Sequence, residues 1–170
     1  MKNILVLGIG NILLSDEGAG VRAIEFLNRH YEIPPVLTLV DAGTMGLEIL
    51  PYLEGKTDLI IVDAVVSDKQ PGHVLRKKLN DAGVFFRNKI SPHQLGLSEV
   101  LGAATLTGCL PPEIVLLGIV PKKLDAGLEF SSEIDKAFPH LIDQLIEEIQ
   151  SRGICLCPKI LPCSEGEAGK

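Results

Sequence analysis

The chain has 170 residues, 46% of them hydrophobic and 22% charged, values that suit one globular domain able to bury a core. Its formal charge of -6 argues against nucleic acid or an anionic membrane surface as partner. No apolar run approaches the ~18 residues of a membrane-spanning helix. Aromatic residues make up only 4% and Trp is absent, so the core is expected to be aliphatic.

Residues 3–8 form a continuous aliphatic run of the kind buried on both faces of a sheet, and are read as the first strand. A signal peptide fits poorly, because Asn11, Asp16 and Glu17 interrupt the run and no small-residue cleavage site follows. A cytoplasmic, reducing setting is therefore expected, with the cysteines as free thiols or ligands. Ser15 or Asp16 can cap a helix carrying Val21, Ile24 and Leu27 at helical spacing. A second strand over 36–40 ends at Asp41, and Thr44 can cap a short helix through Leu47, Leu50 and Leu53, distorted by Pro51.

The run 59–62 is the third strand and stops at Asp63. Residues 71–75 read as a further strand, and with no helix between it and the third it is expected to pair antiparallel, giving a mixed sheet. Ser91-Pro92 starts a helix that continues through Leu95 to about Leu101, and 114–120 is the last strand. A final helix carries Ile134, Phe138, Leu141, Ile142, Leu145 and Ile149 on one face, beginning or bending at Pro139 and ending near Gly153. The alternation of strand and helix marks a single α/β domain over 1–153. Residues 154–170 hold Pro158, Pro162, Gly166 and Gly169 without periodicity and are expected to be an irregular, flexible tail.

In an open α/β sheet, ligands bind beyond the carboxyl ends of the parallel strands, where strand order reverses. Glu17 follows the first strand, Asp41 closes the second and Asp63 the third. If the first strand lies between the other two, the three carboxylates share one rim and raise one another's pKa unless a cation or proton intervenes. His93, in the first turn of a helix, is kept neutral by the positive helix end and is a natural fourth member. Two carboxylates and an imidazole suit a borderline divalent ion such as zinc or nickel. Simpler roles exist: Asp16 and Asp41 as helix caps, His93 as a structural histidine, and His30, His73 and His140 as surface residues.

Other chemistries are weakly represented. The Gly8-Ile9-Gly10 turn lacks the third glycine of a dinucleotide fingerprint, since Leu13 stands there, although Asp41 could mimic the ribose-binding acid. There is no phosphate-binding Gly-Lys-Ser/Thr, no G-x-S-x-G elbow and no H-E-x-x-H helix. Cys109 has no obvious adjacent base. Cys155-Leu156-Cys157 with Cys163 is too unspecific for a metal site, and incidental tail cysteines are the preferred reading.

The run from Gly8 to Gly20 (GIGNILLSDEGAG) closely resembles the opening motif of the NiFe-hydrogenase maturation endopeptidases. Asp41-Ala42-Gly43-Thr44, Asp63-Ala64 and Ser91-Pro92-His93 resemble that family's later motifs, in order, and the similarity covers about residues 2–152. The resemblance implies a three-layer α/β/α sandwich around a twisted, mixed, mainly parallel five-stranded sheet. It implies an endopeptidase that trims the C-terminus of a hydrogenase large-subunit precursor after nickel insertion. Glu17, Asp63 and His93 match the metal-contacting positions, the nickel being supplied by the precursor, with zinc or cadmium able to substitute in vitro. Asp41 or Asp16 would then serve as general base, or Glu17 itself. The implied partner is the precursor, with no nucleic acid or membrane, and the enzyme is expected to be a cytoplasmic monomer. A nickel-binding maturation chaperone without hydrolytic activity would share every ligand, and a nucleotide-binding protein is the more distant alternative. The cysteine-containing tail has no counterpart in the family pattern.

Overall fold

A computed structural model describes residues 2–79 and 94–159. Its centre is a five-stranded sheet built from β1 (Ile4–Ile9), β3 (Leu37–Gly43), β4 (Asp58–Ala64), β5 (Val74–Lys78) and β6 (Glu113–Ile119). The strand order is β3-β1-β4-β6-β5, with the first four parallel and β5 antiparallel to β6. Successive side chains of a strand point to opposite faces, so an unbroken aliphatic run needs a cover on both. Ile4, Val6, Ile60, Val62, Val115 and Leu117 pack against α1 (Ala19–His30) and α4 (Ser132–Gln150). Leu5, Leu7, Leu59, Ile61, Ile114 and Leu116 face the other way, toward α2 (Leu50–Leu53) and α3 (Gln94–Thr107). The result is the expected three-layer sandwich with a mixed, mainly parallel sheet.

The structure revises several boundaries. The antiparallel strand lies at Val74–Lys78 rather than 71–75, and its partner is β6, not β4. After β4 the chain crosses the end of β6, where the Val65 amide donates to the Ile119 carbonyl (2.9 Å) and the Gly72 amide to the Val120 carbonyl (2.8 Å). It then descends along the open edge, where Arg76, Lys77 and Lys78 suit an exposed edge strand. The last helix runs through Pro139, starting at Ser132 with the Ser131 hydroxyl accepting from the Ile134 amide (3.4 Å). Its buried stripe extends on both sides of the proline, from Ile134 to Ile149, and that packing outweighs the missing amide.

The segment expected to be irregular from 154 onward is instead docked as far as 159. Ile154 and Leu156 are buried in the α1/α4 core while Cys155 and Cys157 point outward, an extended two-residue alternation. Cys157–Pro158 (β7) pairs antiparallel with Tyr31–Glu32 (β2), and the Lys159 amide donates to the His30 carbonyl (2.8 Å). Cys163 and the rest of the tail lie outside the described residues.

Candidate active site

The site is built by the way the chain leaves β1. Gly10 has φ +138°, a conformation that L side chains rarely adopt, and a Cβ there would overlap the Glu17 carbonyl. A Cβ on Gly20 would collide with the carbonyl oxygens of Val62 and Ile9. The start of α1 therefore sits directly on the carboxyl ends of β1 and β4. Between them Ser15–Gly18 forms a single 3-10 turn. Glu17 in that turn is 5% exposed, and Asp63, in register with Gly118 of β6, is fully buried. β1 is flanked by β3 and β4, so its carboxyl end is the point where strand order reverses, the usual position of a functional crevice. Glu17, in the turn after β1, and Asp63, near the end of β4, are both buried at this end of the sheet.

Asp16, the neighbour of Glu17, is used differently. Its Oδ2 accepts from the amides of Lys122 (2.9 Å) and Lys123 (2.7 Å) and from the Ser131 hydroxyl (2.8 Å). Its Oδ1 accepts from the Ser131 amide (2.7 Å). The carboxylate thus ties the turn after β1 to the loop between β6 and α4. Beside it Ser15 has φ +52°, with its amide donating to the Gly127 carbonyl (2.8 Å) and its hydroxyl to the Asp125 carbonyl (3.0 Å). Neither Ser15 nor Asp16 caps α1 through its side chain, because both are drawn into this contact.

Asp41 lies within β3, opposite Gly8, where the register with β1 shifts before Gly43. Unlike Glu17 and Asp63 it is solvent-exposed. It lines an open cleft of about 190 Å³ with Gly10, Asn11, Ile12, Val21, Gly43 and Thr44. The turn that follows (Leu47–Ile49) is preceded by Gly46 and has no side-chain cap, so neither Asp41 nor Thr44 plays the capping role open to it.

His93 lies outside the described residues, immediately before α3. Among the described residues no group of three or more His, Cys, Asp and Glu side chains is arranged to hold a metal. Two carboxylates buried at this end of the sheet are nevertheless donors of the kind a divalent cation takes. Asp16 and Glu17, in the turn before α1, disfavour the anionic phosphates that a nucleotide-binding turn would place there. Cys109 lies far off, lining a separate cavity with Gly55 and Thr107 at the amino end of the sheet. Sequence reasoning did not single out Ser131 and the amides of Lys122 and Lys123. The only local signal was Ser131 as a helix N-cap.

Residues 21–148 match the profile of the family described as HycI, hydrogenase maturation protease. This chain belongs to that family. Hydrogenase maturation proteases are endopeptidases, and the relatives agree over nearly the whole length. Identity is 38% over 157 residues with the hydrogenase 2 maturation protease of Escherichia coli K12, covering 92% of this chain and 96% of that one. It is 37% with the hydrogenase expression/formation protein HupD of Bradyrhizobium diazoefficiens, covering 98% and 88%. The hydrogenase maturating endopeptidase HybD of E. coli superposes with a TM-score of 0.86 at 36% identity, over 92% of this maturation protease and 98% of HybD. HybD from Thermococcus kodakarensis gives 0.73 at 27% identity, over 86% and 98%.

Proposed function

We propose that this maturation protease removes a C-terminal peptide from the nickel-loaded precursor of a hydrogenase large subunit, acting as a cytoplasmic monomer. The reading is supported by the burial of two carboxylates, Glu17 and Asp63, at the carboxyl ends of β1 and β4 in a member of this family. Among the described residues no helix is long and apolar enough to cross a membrane.

Glu17 and Asp63, with His93, engage nickel carried by the precursor and so set the scissile bond against the cleft beside β3. Substrate-borne nickel supplies Lewis acidity at the carbonyl. Asp41 is the general base. Of the acids Asp16, Glu17, Asp41 and Asp63 it is the one that solvent reaches, and a base must meet water. Hydrolysis consumes one water: its oxygen bonds to the carbonyl carbon, Asp41 takes the proton, and that proton passes to the leaving nitrogen as the C–N bond breaks. Asp16 positions the turn that carries Glu17 and does not exchange protons, since its oxygens are occupied by four donors.

The test is Asp41→Asn with nickel-loaded precursor. Retained binding with cleavage reduced by about 10²-fold or more is expected for loss of a general base. Cleavage at the normal rate removes Asp41 from the mechanism.

A further inference from the structure

Among the described residues nine large apolar side chains are exposed, and six of them follow the carboxyl ends of the parallel strands. Ile12 and Leu13 come after β1, Leu47 after β3, Val66 after β4, and Leu124 and Leu128 after β6. The other three, Val36, Tyr52 and Leu106, are not in these loops. Single exposed hydrophobes are ordinary on a protein surface, but their concentration at one end of the sheet, around the crevice holding Glu17 and Asp63, is not.

These side chains stand on a braced framework. Leu14 and Gly127 form a parallel bridge, the Gly127 amide donates to the Leu13 carbonyl (2.9 Å), and the Ser15 amide donates to the Gly127 carbonyl (2.8 Å). The Arg22 guanidinium donates to the Leu128 carbonyl and lies 4.7 Å over the Phe130 ring. Asp16 holds the same loop from below through Lys122, Lys123 and Ser131. Leu13 (60% exposed) and Leu128 (59%) are thus displayed on backbone that is already hydrogen-bonded. Ordering costs are met before any partner arrives, as expected of a preorganised docking surface.

We propose that this apolar rim docks the folded body of the precursor, through an apolar patch around the root of its C-terminal extension. The inference rests on the functional reading above. Its occupant follows from continuity with the crevice: a short peptide would fill the cleft beside Asp41 alone, while a folded protein delivering that peptide must lie across the loops after β1 and β6. Recognition is then divided, with the rim selecting the protein and the crevice selecting the bond.

The experiment compares the unaltered protein with Leu13→Asp/Leu128→Asp and with Leu106→Asp, whose side chain is 90% exposed on α3 away from the rim. Binding and processing of nickel-loaded precursor, thermal unfolding and oligomeric state are measured for each. The rim variant should unfold at the normal temperature and bind precursor about 10-fold or more weakly, since a charge must enter an apolar contact. Its KM should rise while kcat at saturating precursor is kept. Leu106→Asp should match the unaltered protein, and Leu13→Met/Leu128→Met should restore binding. Normal KM in the Asp variant overturns the rim proposal alone. A dimer of the unaltered protein that the Asp variant separates overturns it too, by making the rim a self-association face. No processing by the unaltered protein overturns the functional reading and the rim with it.

Discussion

Asp16 and Glu17 are adjacent acids with opposite employment, and the reason is the turn they occupy. Successive residues of a 3-10 helix are rotated by about 120°, so one carboxylate reaches the loop after β6 while its neighbour, also buried, points another way. Asp16 accepts from four donors, and replacing it leaves three part-buried amides and a hydroxyl without their acceptor. Asp16→Asn places an amide NH2 against those donors and should cost about 3 kcal/mol in chemical denaturation, with activity falling as the turn loosens. Undiminished stability with cleavage abolished would instead put Asp16 in the chemistry. The sequence could mark both residues as candidates, because an acid after a strand end is a local feature. It could not separate them, because Asp16's partners lie 106 to 115 residues away.

At the scale of elements, the aliphatic runs of β1, β4 and β6 were legible because each must be buried on both faces, and hydrophobicity alone states that. The partner of β5 was not, because an edge strand carrying Arg76, Lys77 and Lys78 has no apolar pattern to give its register. The extended stretch at 154–157 was hidden for a related reason: two buried residues in alternation are too short a period to stand out beside prolines. A charge network then joins the elements. Arg76 grips Glu148 of α4 with two bonds (2.6 and 3.0 Å), and Arg152 reaches both Glu148 (2.6 Å) and Asp58 of β4 (2.9 Å).

Burial works to raise the Glu148 pKa, and the hydrogen bonds from Arg76 and Arg152 outweigh it and hold the carboxyl below its ordinary value. A depressed native pKa adds stability that is present above the unfolded-state value of about 4.3 and is lost as pH falls through the native value. Glu148→Gln should therefore cost about 3 kcal/mol at pH 7, since it leaves the half-exposed Arg76 unpaired and the buried Arg152 with Asp58 alone as counter-charge. The two stability curves should converge below about pH 4 in denaturation experiments across pH. A gap that stays constant down to pH 3 would show that the charge of Glu148 is not what holds β5, α4 and β4 together.

Across the whole molecule, the strand order gathers residues scattered along the chain to one edge. β1 lies between β3 and β4, so acids following three separate strands come to a single end of the sheet. That much could be anticipated from the alternation of strands and helices, conditional on the order of strands. The apolar rim could not, because Leu13, Leu47, Val66 and Leu128 look in the sequence like ordinary loop or core residues. Only the topology places them around one crevice. The proposed rim would set the crevice inside a protein-binding face, as a folded protein substrate would require.

Mass spectrometry of nickel-loaded and nickel-free large-subunit precursor, after incubation with this protein or with Glu17→Gln, tests the central claim most directly. The account predicts loss of a C-terminal peptide from the loaded precursor only, and from neither form with Glu17→Gln. Equal cleavage of both forms by the unaltered protein, or normal cleavage by Glu17→Gln, would contradict it.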